Sequence, residues 1–143
     1  MKLATYTDGS EQKVGVVTDG DSAIVDLQAS EIDQKGALFT GFESMQALIE
    51  SGQEALDKAD SLVDSEMGQN NKRGLDSVKL LPPLPRPISL RDFLTFEAHV
   101  SNALKIGREV GIFSANRAKV PDIWYEAPRY YKCNALNISG HGQ

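Results

Sequence analysis

The chain has few of the residues that build disulfides or thiolate metal sites. Its 143 residues include one cysteine, Cys133, so no internal disulfide can form, and only two histidines. No cluster of cysteine and histidine has the spacing of a zinc site. A single cysteine favours a reducing compartment, and the N-terminus carries no apolar signal region. We therefore expect a cytoplasmic protein.

Basic charge and long apolar runs are also lacking. Fifteen lysine and arginine residues stand against twenty aspartate and glutamate residues, which gives a net charge of −5 and an isoelectric point near 5.0. A nucleic-acid partner is not expected, because surfaces that bind nucleic acid are usually basic. A membrane partner is not expected either, because no apolar run approaches the roughly 20 residues that span a bilayer.

The first 81 residues predict a small α+β domain. Short strand-like stretches at 2–7, 13–18 and 23–27 are separated by Asp8-Gly9 and Asp19-Gly20, which are typical of hairpin turns. They predict an antiparallel, barrel-like β meander. Apolar residues at helical steps then predict two helices, one ended by Gly52 and one at 54–63. We expect an exposed loop at 65–74 and a last strand at 77–81.

A proline-rich stretch at 82–90 is expected to be an extended connector, because proline fixes the backbone and removes hydrogen-bond donors. It marks the boundary between residues 1–81 and a second domain at 91–143. The series Lys79-x-x-Pro82-x-x-Pro85 also fits the ligands that SH3 domains bind. An alternative function is therefore a non-enzymatic interaction module with a proline-rich ligand segment.

The stretch at 91–110 predicts a single helix. Ser89 and Asp92 have the S-x-x-D form of a helix start, and Gly111 follows the last periodic residue, where a left-handed cap often lies. Seven residues separate Asp92 from His99, which would place both on one helix face, two turns apart. Histidine is the usual acid–base side chain near neutral pH, but it is also an ordinary interior residue. The spacing alone leaves both roles open.

Seven residues in the last third of the chain form a series of spacings that the fold alone does not require. They are Asp92, Phe93, His99, Arg108, Trp124, Pro128 and Tyr131. The series D-F-x-x-x-x-x-H, with an arginine nine residues later and then W-x-x-x-P-x-x-Y, resembles the fumarylacetoacetate hydrolase family. The resemblance covers roughly the last third of the chain well.

The resemblance implies metal-assisted hydrolysis of a carbon–carbon bond in a 1,3-dicarbonyl or 2-oxo acid substrate, with Mg²⁺ or Ca²⁺ as cofactor. It implies that His99 is the general base and that Arg108 and Tyr131 contact the substrate. Asp92 is a candidate metal ligand, with a helix-capping role as the alternative. At about 100° per residue, Arg108 lies opposite His99 unless the helix ends or bends near residues 105–107.

The family's remaining carboxylate ligands, and the glutamate that orients the histidine, are not among these residues. The resemblance therefore implies that the chain is the N-terminal portion of an enzyme, with residues 91–143 beginning a mainly-β catalytic domain. It implies a homodimer for the full-length enzyme. We expect residues 1–143 to be inactive alone, because a hard cation needs about six oxygen ligands.

Overall fold

A computed structural model of the chain describes residues 1–9, 11–114, 116 and 119–142. It confirms an α+β fold and divides into two compact units, Met1–Arg86 with Leu136–Gln143, and Pro87–Ala135. The strands are β1 (Lys2–Thr7), β2 (Gln12–Thr18), β3 (Ala23–Asp26), β4 (Lys72–Gly74), β5 (Lys79–Leu80), β6 (Arg91–Phe93) and β7 (Tyr130–Lys132). The α-helices are α1 (Leu27–Lys35), α2 (Met45–Val63), α3 (Glu66–Asn70), α4 (Glu97–Glu109) and α5 (Ile123–Glu126).

The first unit contains an antiparallel sheet of five strands in the order β4-β3-β2-β1-β5, curled into a half-barrel. The predicted meander of β1, β2 and β3 is confirmed. Gly9 and Gly20 have φ values of 102° and 64°, which explains why glycine follows aspartate in both turns. Thr5 lies opposite Val14, and Val16 lies opposite Val25, so alternate side chains of three strands share one face.

That sheet face packs against the helices of the first unit and forms its core. Burying these apolar side chains removes them from water, which is the main favourable term in folding. The buried cluster consists of Val14, Val16, Leu27, Phe42, Met45, Leu48, Ala55, Ala59 and Leu62.

Helix α1 was not predicted from the sequence, because its residues are mostly polar and show no apolar stripe. Its start is nevertheless well defined, since Asp26 Oδ1 accepts a hydrogen bond from the Ala29 N–H at 2.9 Å. Gly36, with φ of 75°, forms the left-handed cap at its end.

The prediction of a loop at 65–74 is wrong in part. Ser65 caps α3 by accepting a hydrogen bond from the Gly68 N–H at 3.0 Å, and β4 pairs with β3 at the edge of the sheet. The strand expected at 77–81 is shorter than predicted, because a 3₁₀ turn at Leu75–Ser77 precedes β5.

Helix α2 is interrupted at Gly52, as the sequence predicted. The backbone of Gly52 has φ of 59° and ψ of −135°, which is not helical and is a region that essentially only glycine adopts. Two helical stretches therefore meet at this residue. An added Cβ atom on Gly52 would meet no atom within 4 Å, so the conformation alone demands glycine here.

We predict that Gly52→Ala destabilises the protein by about 1–3 kcal/mol, because alanine would be strained in this conformation. In an uninterrupted helix the same change would instead stabilise by about 1 kcal/mol. Urea unfolding of both proteins measures the sign. The control is Glu54→Ala, an exposed helical position where we expect a change within about 0.5 kcal/mol. A stabilised Gly52→Ala variant would contradict the interruption.

A cluster of polar side chains lies where β1, β2 and β3 meet. Asp26 is fully buried, and its Oδ2 lies 3.0 Å from Lys13 Nζ. Lys13 Nζ also lies 3.1 Å from Asp8, which pairs with Arg73 at 3.2 Å. Tyr6 lies opposite Lys13 in the sheet register and is fully buried. Its hydroxyl has no partner with hydrogen-bond geometry among the described residues.

Both Tyr6 and Lys13 have raised pKa values. Burial, and then the nearby negative charge of Asp26, raise the pKa of the Tyr6 phenol well above its usual range. Burial opposes the charge of Lys13, but the hydrogen bonds to Asp26 and Asp8 outweigh it and raise its pKa. Both groups thus hold their protons more tightly in the folded state than in the unfolded state, and stability falls as the pH rises past about 10.

We predict that Tyr6→Phe reduces this alkaline loss of stability. Each of the two groups contributes at most about 1.4 kcal/mol per pH unit to the decline, and the variant removes one of them. At pH 7 the variant should be as stable as the wild type or about 1 kcal/mol more stable, since a buried hydroxyl without a partner is removed. Denaturant unfolding from pH 7 to 11 tests both statements. An alkaline decline of unchanged steepness would contradict the role of Tyr6.

The second unit contains a two-stranded antiparallel sheet, β6 paired with β7, together with α4 and α5. The single helix predicted at 91–110 is therefore wrong at its start. Residues Arg91–Phe93 form a strand, and the helix begins only at Glu97. Its predicted end is confirmed, because Gly111 follows the helix with φ of 76°. Within the residues that the structure describes, no helix combines the length and apolar character needed to cross a membrane.

Candidate functional site

The antiparallel pair of strands β6 and β7, which α4 and α5 separate in the chain, brings together two of the four predicted site residues. Asp92 lies directly opposite Tyr131 in the register of the two strands. Opposite residues on an antiparallel pair point to the same face, with Cβ atoms about 4.5–5.5 Å apart. Asp92 therefore shares a face with Tyr131, which is 61% exposed. Asp92 is in a strand, so it does not cap helix α4, and Phe96 is the residue at that position.

His99 lies in the first turn of α4 and is exposed. It is not two helical turns from Asp92, because the chain between them is a strand and a short connection. Among the described residues, none forms a hydrogen bond with the imidazole of His99. Its orientation is therefore not set by a second side chain of this part of the protein, in contrast with a typical general base, which has such a partner.

Arg108 lies near the other end of α4. The helix continues without interruption through Gly107 to Glu109, so the bend considered near 105–107 does not occur. Nine residues of helix place Arg108 about 14 Å along the axis from His99 and on nearly the opposite side. Gly107 is buried under Phe113, whose ring would lie 2.2 Å from an added Cβ atom. The helix thus does not bring Arg108 and His99 together.

The candidate metal ligand stands largely alone. The described part of the chain contains no group of three or more His, Cys, Asp or Glu side chains placed to hold a metal ion. Asp92 provides one carboxylate, whereas Ca²⁺ and Mg²⁺ take about six or more oxygen ligands. The residues present here do not by themselves fit either cation, so other oxygen ligands would be required.

Three hydrogen bonds that the sequence did not predict connect α5 and the segment before β7 to the end of β6 and the start of α4. The indole Nε1 of Trp124 donates to the Leu94 carbonyl at 2.9 Å, and the Tyr125 hydroxyl donates to Glu97 at 2.7 Å. The Glu97 carboxylate raises the pKa of Tyr125 through this bond. The Leu94 N–H in turn donates to the Arg129 carbonyl at 2.9 Å. The only available signal was the adjacent Trp-Tyr pair, since such polar tips usually find a partner.

A cleft of about 340 Å³ lies beside these bonds, and its lining includes Phe93, Thr95, Trp124 and Arg129. None of the four predicted site residues lines it. A second cleft, of about 650 Å³, lies in the first unit and is lined by residues such as Asp76 and Lys79, again without any predicted site residue. Asp92, His99 and Tyr131 lie on exposed surface and Arg108 is half-buried, and none of them lines either cleft.

The proline-rich segment is held against the first unit. The Leu81 N–H donates to the Thr5 carbonyl at 2.9 Å, and the Thr5 hydroxyl donates to the Pro83 carbonyl at 2.6 Å. Pro82 is buried and Pro85 is half-buried. An SH3 domain needs both prolines of its ligand accessible, so binding would first require this segment to leave β1.

Comparison with known proteins returns neither a matching family model nor a similar curated sequence.

We predict that Trp124→Phe loosens the second unit, because it keeps an aromatic ring but removes the hydrogen bond to Leu94. The loss of about 1 kcal/mol should speed hydrogen exchange of the α4 amides about fivefold. Tyr125→Phe is the matched control, since it removes a hydrogen bond between exposed groups and should have a smaller effect. Equal exchange rates in wild type and Trp124→Phe would mean that the indole does not fasten this unit.

Proposed function

We propose that the chain is the N-terminal portion of a fumarylacetoacetate hydrolase-like enzyme, which hydrolyses a carbon–carbon bond in a 1,3-dicarbonyl or 2-oxo acid substrate. The observation that carries the proposal is the pairing of Asp92 with Tyr131. These residues lie far apart in the sequence, both belong to the motif series, and they meet on one face of the β6–β7 strand pair, whose strands flank the helix of His99 in the chain. We place the reaction in the cytoplasm, with a homodimer as the full-length form.

Each residue has a specific task in this proposal. His99 takes a proton from the attacking water, and Tyr131 donates a hydrogen bond to the substrate beside Asp92. Asp92 would contribute one oxygen ligand to the Mg²⁺ or Ca²⁺ that the activity requires, and that cation, when bound, would polarise the substrate carbonyl. Arg108 binds a carboxylate of the substrate, which requires α4 to end or bend before Arg108 in the complete site, because the uninterrupted helix holds Arg108 on nearly the opposite side from His99.

The proposal assigns the other oxygen ligands to residues outside the described chain, because Asp92 alone cannot complete a coordination sphere. The same residues would bring the carboxylate that orients His99. The alternative of an SH3-binding module has less support, because Pro82 is buried on the first unit.

The activity is tested with a panel of 1,3-dicarbonyl and 2-oxo acid substrates in Mg²⁺ or Ca²⁺, using a polypeptide that continues beyond these 143 residues. We expect His99→Ala to lower turnover at least about a hundredfold, the lower range for removing a general base. The matched control is His141→Ala, which removes the other histidine and should leave turnover within about twofold. Equal turnover of His99→Ala and wild type would rule out His99 as the base.

The ligand count is tested separately on residues 1–143. Calorimetric titration with Mg²⁺ and Ca²⁺ should detect no submicromolar site, since the described residues offer too few oxygens. A submicromolar site that Asp92→Asn abolishes would contradict the assignment of the remaining ligands to residues elsewhere.

A further inference from the structure

One face of the β6–β7 strand pair carries two positive charges beside two aromatic rings. Arg91 lies opposite Lys132, and Phe93 lies opposite Tyr130, so these four side chains share the face away from Asp92. The rings of Phe93 and Tyr130 are 5.1 Å apart, and the Arg91 guanidinium lies 5.4 Å from the Tyr130 ring. All four residues are exposed. We call them the cationic β6–β7 face.

The two charges on this face repel each other. Like charges placed directly opposite on paired strands destabilise the pairing. Arg91 donates to the Ser89 hydroxyl at 2.7 Å, but neither Arg91 nor Lys132 forms an ion pair with a carboxylate of the described residues. An anionic partner would relieve the repulsion, whereas the β6–β7 strand pair alone has no carboxylate on this face to relieve it.

A complementary surface lies on the second half of α2 and includes Asp64, the residue that follows the helix as its C-cap. Glu54, Asp57, Asp60 and Asp64 are exposed and follow each other at steps of three or four residues, so they form one acidic row. None of them forms an ion pair within the part of the chain that the structure describes. Lys58, the one cation within this helix, lies over the ring of Phe39 at 4.9 Å. Like charges at these spacings destabilise a helix.

The spacings of the two surfaces match. Opposite residues on two antiparallel strands have Cβ atoms about 4.5–5.5 Å apart, and residues three or four apart on a helix have Cβ atoms about 5–6 Å apart. Arg91 and Lys132 can therefore meet two successive carboxylates of the acidic row, such as Asp60 and Asp64. Phe93 and Tyr130 would add apolar contact area beside these ion pairs.

The overall charges favour the same pairing. Residues 87–135 contain seven lysine and arginine residues against five aspartate and glutamate residues. The remaining residues contain eight against fifteen. Every copy of the chain thus carries both a cationic and a strongly acidic surface, so each copy is a matching partner for another at equal concentration.

We propose that the cationic β6–β7 face of one copy docks on the acidic row of α2 in a second copy, and that this contact drives self-association. The contact does not depend on the proposed catalytic activity, because it uses the face of the β6–β7 strand pair that is turned away from Asp92 and Tyr131. Burial of the ion pairs and the two rings relieves the repulsion on both surfaces.

Sedimentation velocity of the 143-residue chain at several concentrations and ionic strengths tests the proposal. We expect concentration-dependent association at low salt that weakens as salt screens the charges. The double variant Arg91→Glu/Lys132→Glu should weaken association at least about tenfold, and so should Asp60→Lys/Asp64→Lys. The second variant also places positive charge at a helix C-terminus, which favours its folding.

The decisive sample is a mixture of the two double variants, because the reversed charges on the β6–β7 face of one variant now match the reversed charges on the acidic row of the other. Neither variant should associate well alone, and the mixture should recover association between unlike copies. The matched control is Lys105→Glu/Lys119→Glu, which makes the same change in net charge on exposed residues outside the face and should associate like wild type. Circular dichroism checks that each variant is folded.

Three results would overturn the proposal. A wild-type chain that stays monomeric at every concentration has no such contact. If the control weakens association as much as Arg91→Glu/Lys132→Glu does, the effect reports net charge alone. A mixture that fails to recover association, with both variants folded, means that these two surfaces do not meet.

Discussion

The buried carboxylate of Asp26 joins more elements of the first unit than any other group we describe. Its Oδ1 caps α1 through Ala29, and its Oδ2 pairs with Lys13 on β2. Its backbone N–H donates to the Asn71 carbonyl at 3.1 Å, and its carbonyl accepts from the Ser30 hydroxyl at 2.6 Å. One residue thus connects the central strands, the first helix and the segment that leads into β4.

The burial of this charge is stable only because its partners are in place. An isolated carboxylate in a protein interior loses several kcal/mol of hydration, and removal of one partner from a buried pair is strongly destabilising. The network has one weak point, since the Tyr6 hydroxyl lies near Asp26 but meets no acceptor at full hydrogen-bond geometry. Alternation and turns select the sheet, and the hydrogen bond from the Ala29 N–H to the Asp26 carboxylate fixes where α1 begins.

Local patterns predicted those parts of the fold that local physics determines. The Asp-Gly turns and short alternating runs predicted the meander, and Gly52 predicted the interruption of α2. The start of β6 could not be predicted in this way, because its hydrogen bonds come from β7, about forty residues later, and S-x-x-D is compatible with a strand. The same distant pairing separated Asp92 from the helix of His99 and placed it opposite Tyr131. The Trp124 and Tyr125 contacts were likewise not predictable, since nothing local specifies their acceptors.

The two faces of the β6–β7 strand pair have different physical requirements. Arg91 and Lys132 need an anion and tolerate water, since exposed charges associate through screened forces. In the proposed function the face of Asp92 and Tyr131 would need the opposite, because charge stabilisation in catalysis is strong only where water is excluded. A two-stranded sheet is marginally stable alone, and here both of its faces are exposed. The residues that complete the oxygen ligands around Asp92 would therefore also exclude its water, so ligand completion and desolvation of this site would occur through one and the same packing contact.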